Sequence, residues 1–173
     1  MEKKNPRVIT IGLFGTCGNS QWRTPFIEHY ERRGIAYFNP VVPNWDESCA
    51  AVEAEHLVED EIILFPVTDE TTGFGSLGEV GFSINQAITS NDERFVVVYI
   101  APGVNDDVRE ADAKAAKESC KARALVLAHL RKQYHKYPNV FVVESLDDML
   151  NASSFLYDAM NSIRAAKQFT VKK

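Results

Sequence analysis

Cysteine is scarce in this chain. Cys17, Cys49 and Cys120 are the three among 173 residues. The odd count and a spacing unlike any zinc pattern argue against a disulfide framework and for a reducing cytoplasm. The four histidines, His29, His56, His129 and His135, lack paired ligand spacing, so structural roles are expected for them and no metal site. Long apolar runs are missing too. The longest, such as residues 95–101, have the length of a strand and fall far short of a membrane span. Residues 1–7 are charged, and no signal-peptide pattern follows them. Basic residues are outnumbered: 19 Lys and Arg stand against 24 Asp and Glu, a net charge of -5. A broad nucleic-acid-binding face, which needs clustered Lys and Arg, is therefore not expected.

What is present is the composition of an ordinary soluble protein. At 45% hydrophobic and 25% charged residues, disorder, collagen and coiled coil are poor descriptions. The length suits one domain over residues 1–173. A chain of this size buries roughly two-thirds of its unfolded surface and needs no staple.

The chain alternates strand and helix signals. Residues 8–14 (VITIGLF) read as a buried strand ending in a turn-rich loop. A helix is expected over 20–33, with Trp22, Phe26, Ile27 and Tyr30 at helical spacing and Gly34 as its stop. Residues 35–38 form a short second strand, a loop follows, and 48–59 read as a helix. Residues 62–67 (IILFPV) are a third buried strand, in which Pro66 suggests pairing that fades at the end. A loop over 69–78 precedes a helix to about residue 89. Residues 95–100 and 139–143 are the fourth and fifth strands, and 146–167 a terminal helix.

Such alternation implies an α/β fold, a parallel sheet with helices on both faces. Five strands point to a flavodoxin-like, doubly wound domain. Right-handed crossovers place the strand-to-helix loops at one sheet edge, where ligands bind. The loops 15–23, 39–46 and 68–79 are the richest in glycine, polar and aromatic residues, and this fold brings them together. Residues 106–137 stand apart: free of Pro and Gly, and rich in Ala, Lys and Glu. They read as one helix of up to about 30 residues, about 45 Å long, or as two. The Ala-rich face with Val108, Ala111, Ala115 and Ala122 is a candidate contact with another subunit; the alternative is a solvated helix lying across the sheet.

The segment from Asp69 to Glu79 (DETTGFGSLGE) holds the most chemistry. Gly73, Gly75 and Gly78 let a backbone approach a ligand and open a helix. No Gly-Lys-Ser/Thr follows, so it is not a Walker loop, and its place after the third strand makes it a poor dinucleotide fingerprint. Glu79 is expected in the first helical turn, where the macrodipole favours a carboxylate; a nucleophile and a backbone cap are equally open there. The first loop offers amide, hydroxyl, indole and guanidinium groups for a polar ligand. Cys17 has no obvious His partner, so a small buried thiol beside a glycine turn is the favoured reading. Arg23 fits either an anion site or a helix surface.

Three segments together, FGTCGNSQWR after strand one, YFNPVVPNW after strand two and DEIILFPVTDETTGFGSLGEVGFSINQA around strand three, resemble the nucleoside 2-deoxyribosyltransferase family. The branch with a Gly-x-Cys-Gly-x-Ser-x-Trp-Arg first loop is the most similar. The resemblance spans roughly residues 8–101 in order and spacing and stops before the long helical segment. It implies a flavodoxin-like fold and a nucleophilic Glu, here Glu79 in LGEVG. It implies that Gly15, Cys17, Asn19, Trp22, Asn39 and Pro40 line a sugar and base pocket, with Asp46, Gly73 and Ser76 as further candidates. It also implies a homo-oligomer whose neighbouring subunit completes the pocket. Family members carry an acidic residue six positions before the nucleophile; this chain has Gly73 there and Asp69 ten before. The acid for the leaving base is therefore sought among Asp69, Glu53 and Asp46, in that order.

The expected chemistry is transfer of 2-deoxyribose between nucleobases through a glycosyl ester, without metal or organic cofactor. Substrates would be nucleosides and free bases, with no nucleic-acid polymer and no membrane. Two other readings stand beside it. One is a hydrolase on the same scaffold acting on a nucleoside or its 5′-monophosphate. The other is a non-catalytic nucleotide binder, against which a carboxylate such as Glu79 argues.

Overall fold

The computed structural model describes residues 8–18, 20–44, 46–89, 94–133 and 136–170. Its five strands are β1 (Thr10–Leu13), β2 (Ala36–Phe38), β3 (Ile62–Val67), β4 (Phe95–Ile100) and β5 (Val140–Val143). They form one sheet in the order β2-β1-β3-β4-β5, every pair parallel. The fold is α/β and flavodoxin-like. β3 is buried along its whole length, as a central strand covered on both faces must be.

Among the described residues the helices are α1 (Arg23–Arg33), α2 (Glu47–Glu59), α3 (Phe74–Thr89), α4 (Asp106–Ala111), α5 (Ala113–Gln133) and α6 (Leu146–Ala166), the last running into a 3-10 turn at Lys167–Phe169. Alternation along β3 divides the core. Ile62 and Leu64 face α1 and α6 among Trp22, Phe26, Tyr30, Met149, Leu156 and Met160. Ile63, Phe65 and Val67 face α3 and α5 among Leu77, Val80, Ala87, Ala122, Val126 and Leu130. Each fully buried aliphatic or aromatic side chain contributes about 1.5–3 kcal/mol. Gly34 ends α1 in the left-handed region at φ 65°, donating its N–H to Tyr30 and Glu31 carbonyls, which a side chain with a Cβ would resist.

Pro66 shows how a central strand tolerates proline. On the β4 side, pairing runs to the last residue, Val67 opposite Ile100. On the β1 side it stops at Leu13 opposite Leu64, and the Pro66 carbonyl points that way, accepting from Thr16 N at 2.8 Å. In a parallel ladder a residue's N–H and C=O face the same neighbour. The missing N–H therefore faces a strand that has already turned away. The expected fading of the ladder is confined to that side.

One boundary differs from expectation, and one of two open readings is decided. The glycine-rich stretch read as loop to residue 78 is helical from Phe74. Leu77, Val80 and Ala87 bury at helical spacing, and that packing outweighs the roughly 1 kcal/mol that each interior glycine costs. The long segment after β4 is two helices. Asp112 is extended between them, and its side chain accepts from Lys114 N and Ala115 N, capping α5. α5 lies across the sheet with Ala116, Ser119 and Arg123 buried, so Ala122 of the Ala-rich face packs within the subunit. Among the described residues, no helix is long and apolar enough to cross a membrane.

Candidate functional site

The strand order reverses between β1 and β3, with β2 on one side of β1 and β3 on the other. A crevice opens at such a switch point, beyond the carboxyl ends of the strands. The loops after β1 and β3 meet there and are bonded together. Thr16 donates its N–H (2.8 Å) and its hydroxyl (3.2 Å) to the Pro66 carbonyl, and Thr68 N donates to Thr16 Oγ1 at 2.9 Å. Gly15 makes the contact feasible. Its φ is 90°, and a Cβ there would stand 2.3 Å from the Pro66 oxygen.

Trp22 and Arg23 hold the first loop from beneath. The indole N–H donates to Thr16 O at 2.9 Å, and the ring meets Phe26 edge-on. Only 4% of Trp22 is exposed. It is a core residue, not an open platform for a base. Arg23, 5% exposed, donates from Nε to Leu13 O (2.9 Å) and from Nη1 to Thr16 O (2.7 Å), while Nη2 reaches Cys17 Sγ at 3.6 Å. Burial lowers its pKa, opposed by Cys17 and Glu53. The guanidinium is thus a loop strut with little left for an incoming anion. Cys17 is exposed and its thiol also donates to Gly15 O.

A second bond set crosses the same crevice. Ser20 and Thr68 hydroxyls both donate to Glu70 Oε2, the latter at 2.9 Å. Sequence reading had not singled out Glu70. It seats an anion of the protein's own where two loop hydroxyls converge.

Glu79 is the sixth residue of α3, not a first-turn residue, and it is exposed. The macrodipole fades within the first turn, so that support for its ionisation falls away. The carboxyl on which the charge of Glu79 acts belongs to Glu53 on α2. Burial raises the Glu53 pKa most, the charge of Glu79 raises it further, and Arg23 opposes both. The other candidate acids sit elsewhere. Asp69 is exposed on the β4 side of its loop, near Tyr99 and Arg123, and its carbonyl accepts from Asn105 N. Asp46 caps α2: its carboxylate accepts from Ser48 N (2.8 Å) and Ser48 Oγ (2.5 Å). Those bonds lower its pKa, the wrong direction for an acid that must carry a proton at neutral pH. Of the proposed acids, Glu53 is pushed up by burial and, second, by the charge of Glu79.

The remaining sequence candidates scatter more widely. Asn39 and Pro40 line a recess of about 190 Å³ with Val42, Ser48, Cys49 and Val52; Asn39 Oδ1 accepts from Val41 N. Gly73 and Ser76 open α3. Gly73 is buried at φ 66°, where a Cβ would stand 2.6 Å from Val67 Cγ1 and 2.9 Å from Arg123 Nη2. Asn19 and His135 lie outside the described residues. His56 stacks on Phe38 with ring centres 3.7 Å apart and pairs with Asp60 at 2.9 Å, and His29 meets Ser154; both have structural places. Among the described residues, no group of three or more His, Cys, Asp and Glu is arranged to hold a metal.

No protein-family model and no curated protein matches the chain. Among solved structures it is similar to a conserved protein from Enterococcus faecalis V583. The TM-score is 0.47 at 14% identity, over 84% of this chain and 96% of that one. So slight a likeness carries no argument about the site, and the fold stated above stands on the chain's own strand order and register.

Proposed function

We propose that the protein is an N-glycosyl transferase that moves 2-deoxyribose between nucleobases, with Glu79 as nucleophile and Glu53 as acid. One observation carries this reading: the charge of Glu79 on α3 reaches the Glu53 carboxyl on α2, whose pKa is raised by burial first and by Glu79 second. A carboxyl whose environment favours its protonated form is suited to the acid role beside a second carboxyl that acts as nucleophile. A Glu79 carboxylate oxygen bonds to the anomeric carbon as the bond from that carbon to the base nitrogen breaks, through an oxocarbenium-like state. Glu53 delivers its proton to the departing base. A second base then attacks the anomeric carbon from the vacated face, Glu79 leaves as carboxylate, and Glu53 takes back the proton. Two displacements retain the configuration. The steps as proposed call on carboxyl groups alone and invoke no metal or organic cofactor.

The acidic lining suits neutral nucleosides and free bases as substrates. Exposed Phe74 and Phe82 flank Glu79 along α3, and a homo-oligomer that covers them would also shield the glycosyl ester from water. Exposure of Glu79 within one chain favours hydrolysis as the second reading, with water as acceptor. A 2′-deoxynucleoside incubated with and without a free second base separates the two. Exchange only with the acceptor supports transfer; equal base release without it supports hydrolysis; neither reaction refutes both.

A further inference from the structure

We propose that Arg123, on the segment beyond the resemblance, is a positioning residue that sets the start of α3 and so the place of Glu79. This rests on the transfer reading for its consequence, though the clamp itself can be tested without it.

Arg123 is fully buried in the middle of α5, and all five of its N–H donors have acceptors. Nη1 donates to Val67 O (3.0 Å) and Ala101 O (3.2 Å), the last residue of β3 and the first beyond β4. Nη2 donates to Thr68 O and Thr71 O, both at 2.8 Å. Nε donates to Ser119 Oγ at 3.0 Å, and that hydroxyl donates to Thr72 O at 2.6 Å. One planar fork and one hydroxyl thus hold four carbonyls along 67–72 and one beyond β4. Gly73 follows immediately, and a Cβ there would stand 2.9 Å from Nη2, so only glycine leaves room for the fork. Its carbonyl accepts from Leu77 N, the first turn of α3. The bonds are continuous from α5 through the β3 loop to the helix that carries Glu79.

The guanidinium is suited to this and an ammonium is not, because Lys has three donors on a point charge and no fixed fork. A buried cation bonded to carbonyls, with no carboxylate among those partners, is also an uncommon way to brace a surface loop. The fork and hydroxyl meet the backbone that precedes the proposed nucleophile, not a remote part of the core.

The test compares Arg123→Lys, Ser119→Ala and Ser119→Thr with the unaltered chain. Deoxyribosyl exchange kinetics are measured well below each melting temperature, with amide hydrogen exchange over 68–76. A displaced nucleophile is expected to lower kcat on the order of a hundredfold in Arg123→Lys with KM within about twofold. Ser119→Ala should fall less, and Ser119→Thr, which keeps the hydroxyl, should recover. Protection over 68–76 should drop in the first two variants while the α1 and α6 amides keep theirs. Unchanged protection there overturns the proposal, as does a kcat loss that disappears at low temperature where the variants are fully folded. If the unaltered chain shows neither exchange nor hydrolysis, the transfer reading fails, and amide exchange alone decides the clamp. Should Arg123→Lys not fold, the two Ser119 variants decide it.

Discussion

Gly15→Ala tests the junction on which the site is built. Gly15 sits at φ 90°, and a Cβ would meet three Pro66 atoms: the carbonyl oxygen at 2.3 Å, Cδ at 2.9 Å and N at 2.9 Å. These belong to backbone and a locked ring, so none can swing aside. The left-handed conformation costs an L-residue about 1–2 kcal/mol, and forced overpacking typically adds about 1–3 kcal/mol. The sum, about 2–5 kcal/mol, is a large part of the stability of a domain this size. Gly18 is the internal control. It has a similar φ of 74° but nothing within 4 Å of its Cβ position, so Gly18→Ala carries only the conformational part, about 1–2 kcal/mol. Urea denaturation followed by circular dichroism measures both. With a slope on the order of 2 kcal/mol per molar, Gly15→Ala should lower the midpoint by about 1–2.5 M, and by more than Gly18→Ala. Equal shifts would refute the close contact between the first and third loops, because the two substitutions would then differ in nothing that matters.

Glu53→Gln should raise the melting temperature at pH 7 and lose that advantage at pH 4. A carboxyl whose folded pKa is raised supports the fold only while protonated, so its ionisation opposes folding as pH rises past the folded value. Calorimetry at the two pH values checks the sign. The same variant should slow transfer most from nucleosides whose base leaves poorly without a proton, measured as kcat across a series of leaving bases. Glu70→Gln removes the charge held by Ser20 and Thr68; competition assays should show weak inhibition by 5′-monophosphates in the unaltered chain and stronger inhibition in the variant. Tyr30→Phe breaks the 2.5 Å bond between two buried hydroxyls. Ser153 keeps its bond to Leu150 O, so the loss in thermal unfolding should be near 1 kcal/mol.

Strand positions were readable because each is a short apolar run rich in β-branched or aromatic residues, and the parallel sheet followed from the helices between them. The start of α3 was not, since glycine favours loop by local propensity, and only contacts with Val67 and its neighbours reveal why residues 74–78 are helical. Two helices over 106–137 were one of the readings, but the break could not be placed because no Pro or Gly marks it; a single extended Asp suffices to end one helix and cap the next. Arg123 was the hardest. A charged side chain reads as exposed, although Ala116, Ser119, Arg123 and Val126 share one helical face and the apolar members hint at its direction. At the site, Gly15, Gly73 and Glu79 could be picked out by residue type and order. The effect of Glu79 on the Glu53 carboxyl could not, because it links two helices far apart in sequence. Trp22 and Arg23 were recognisable as important, but their bonds to Thr16 and Leu13 carbonyls make them supports of the loop.

The central claim is a covalent glycosyl ester on Glu79. Acid quenching of the protein with a 2′-deoxynucleoside and no acceptor, followed by peptide mass mapping, tests it directly. A single deoxyribosyl adduct on the peptide carrying Glu79, discharged when a free base is added before the quench and absent from Glu79→Gln, is the expected result. Base exchange with the protein unmodified throughout, or an adduct on any other residue, contradicts the account.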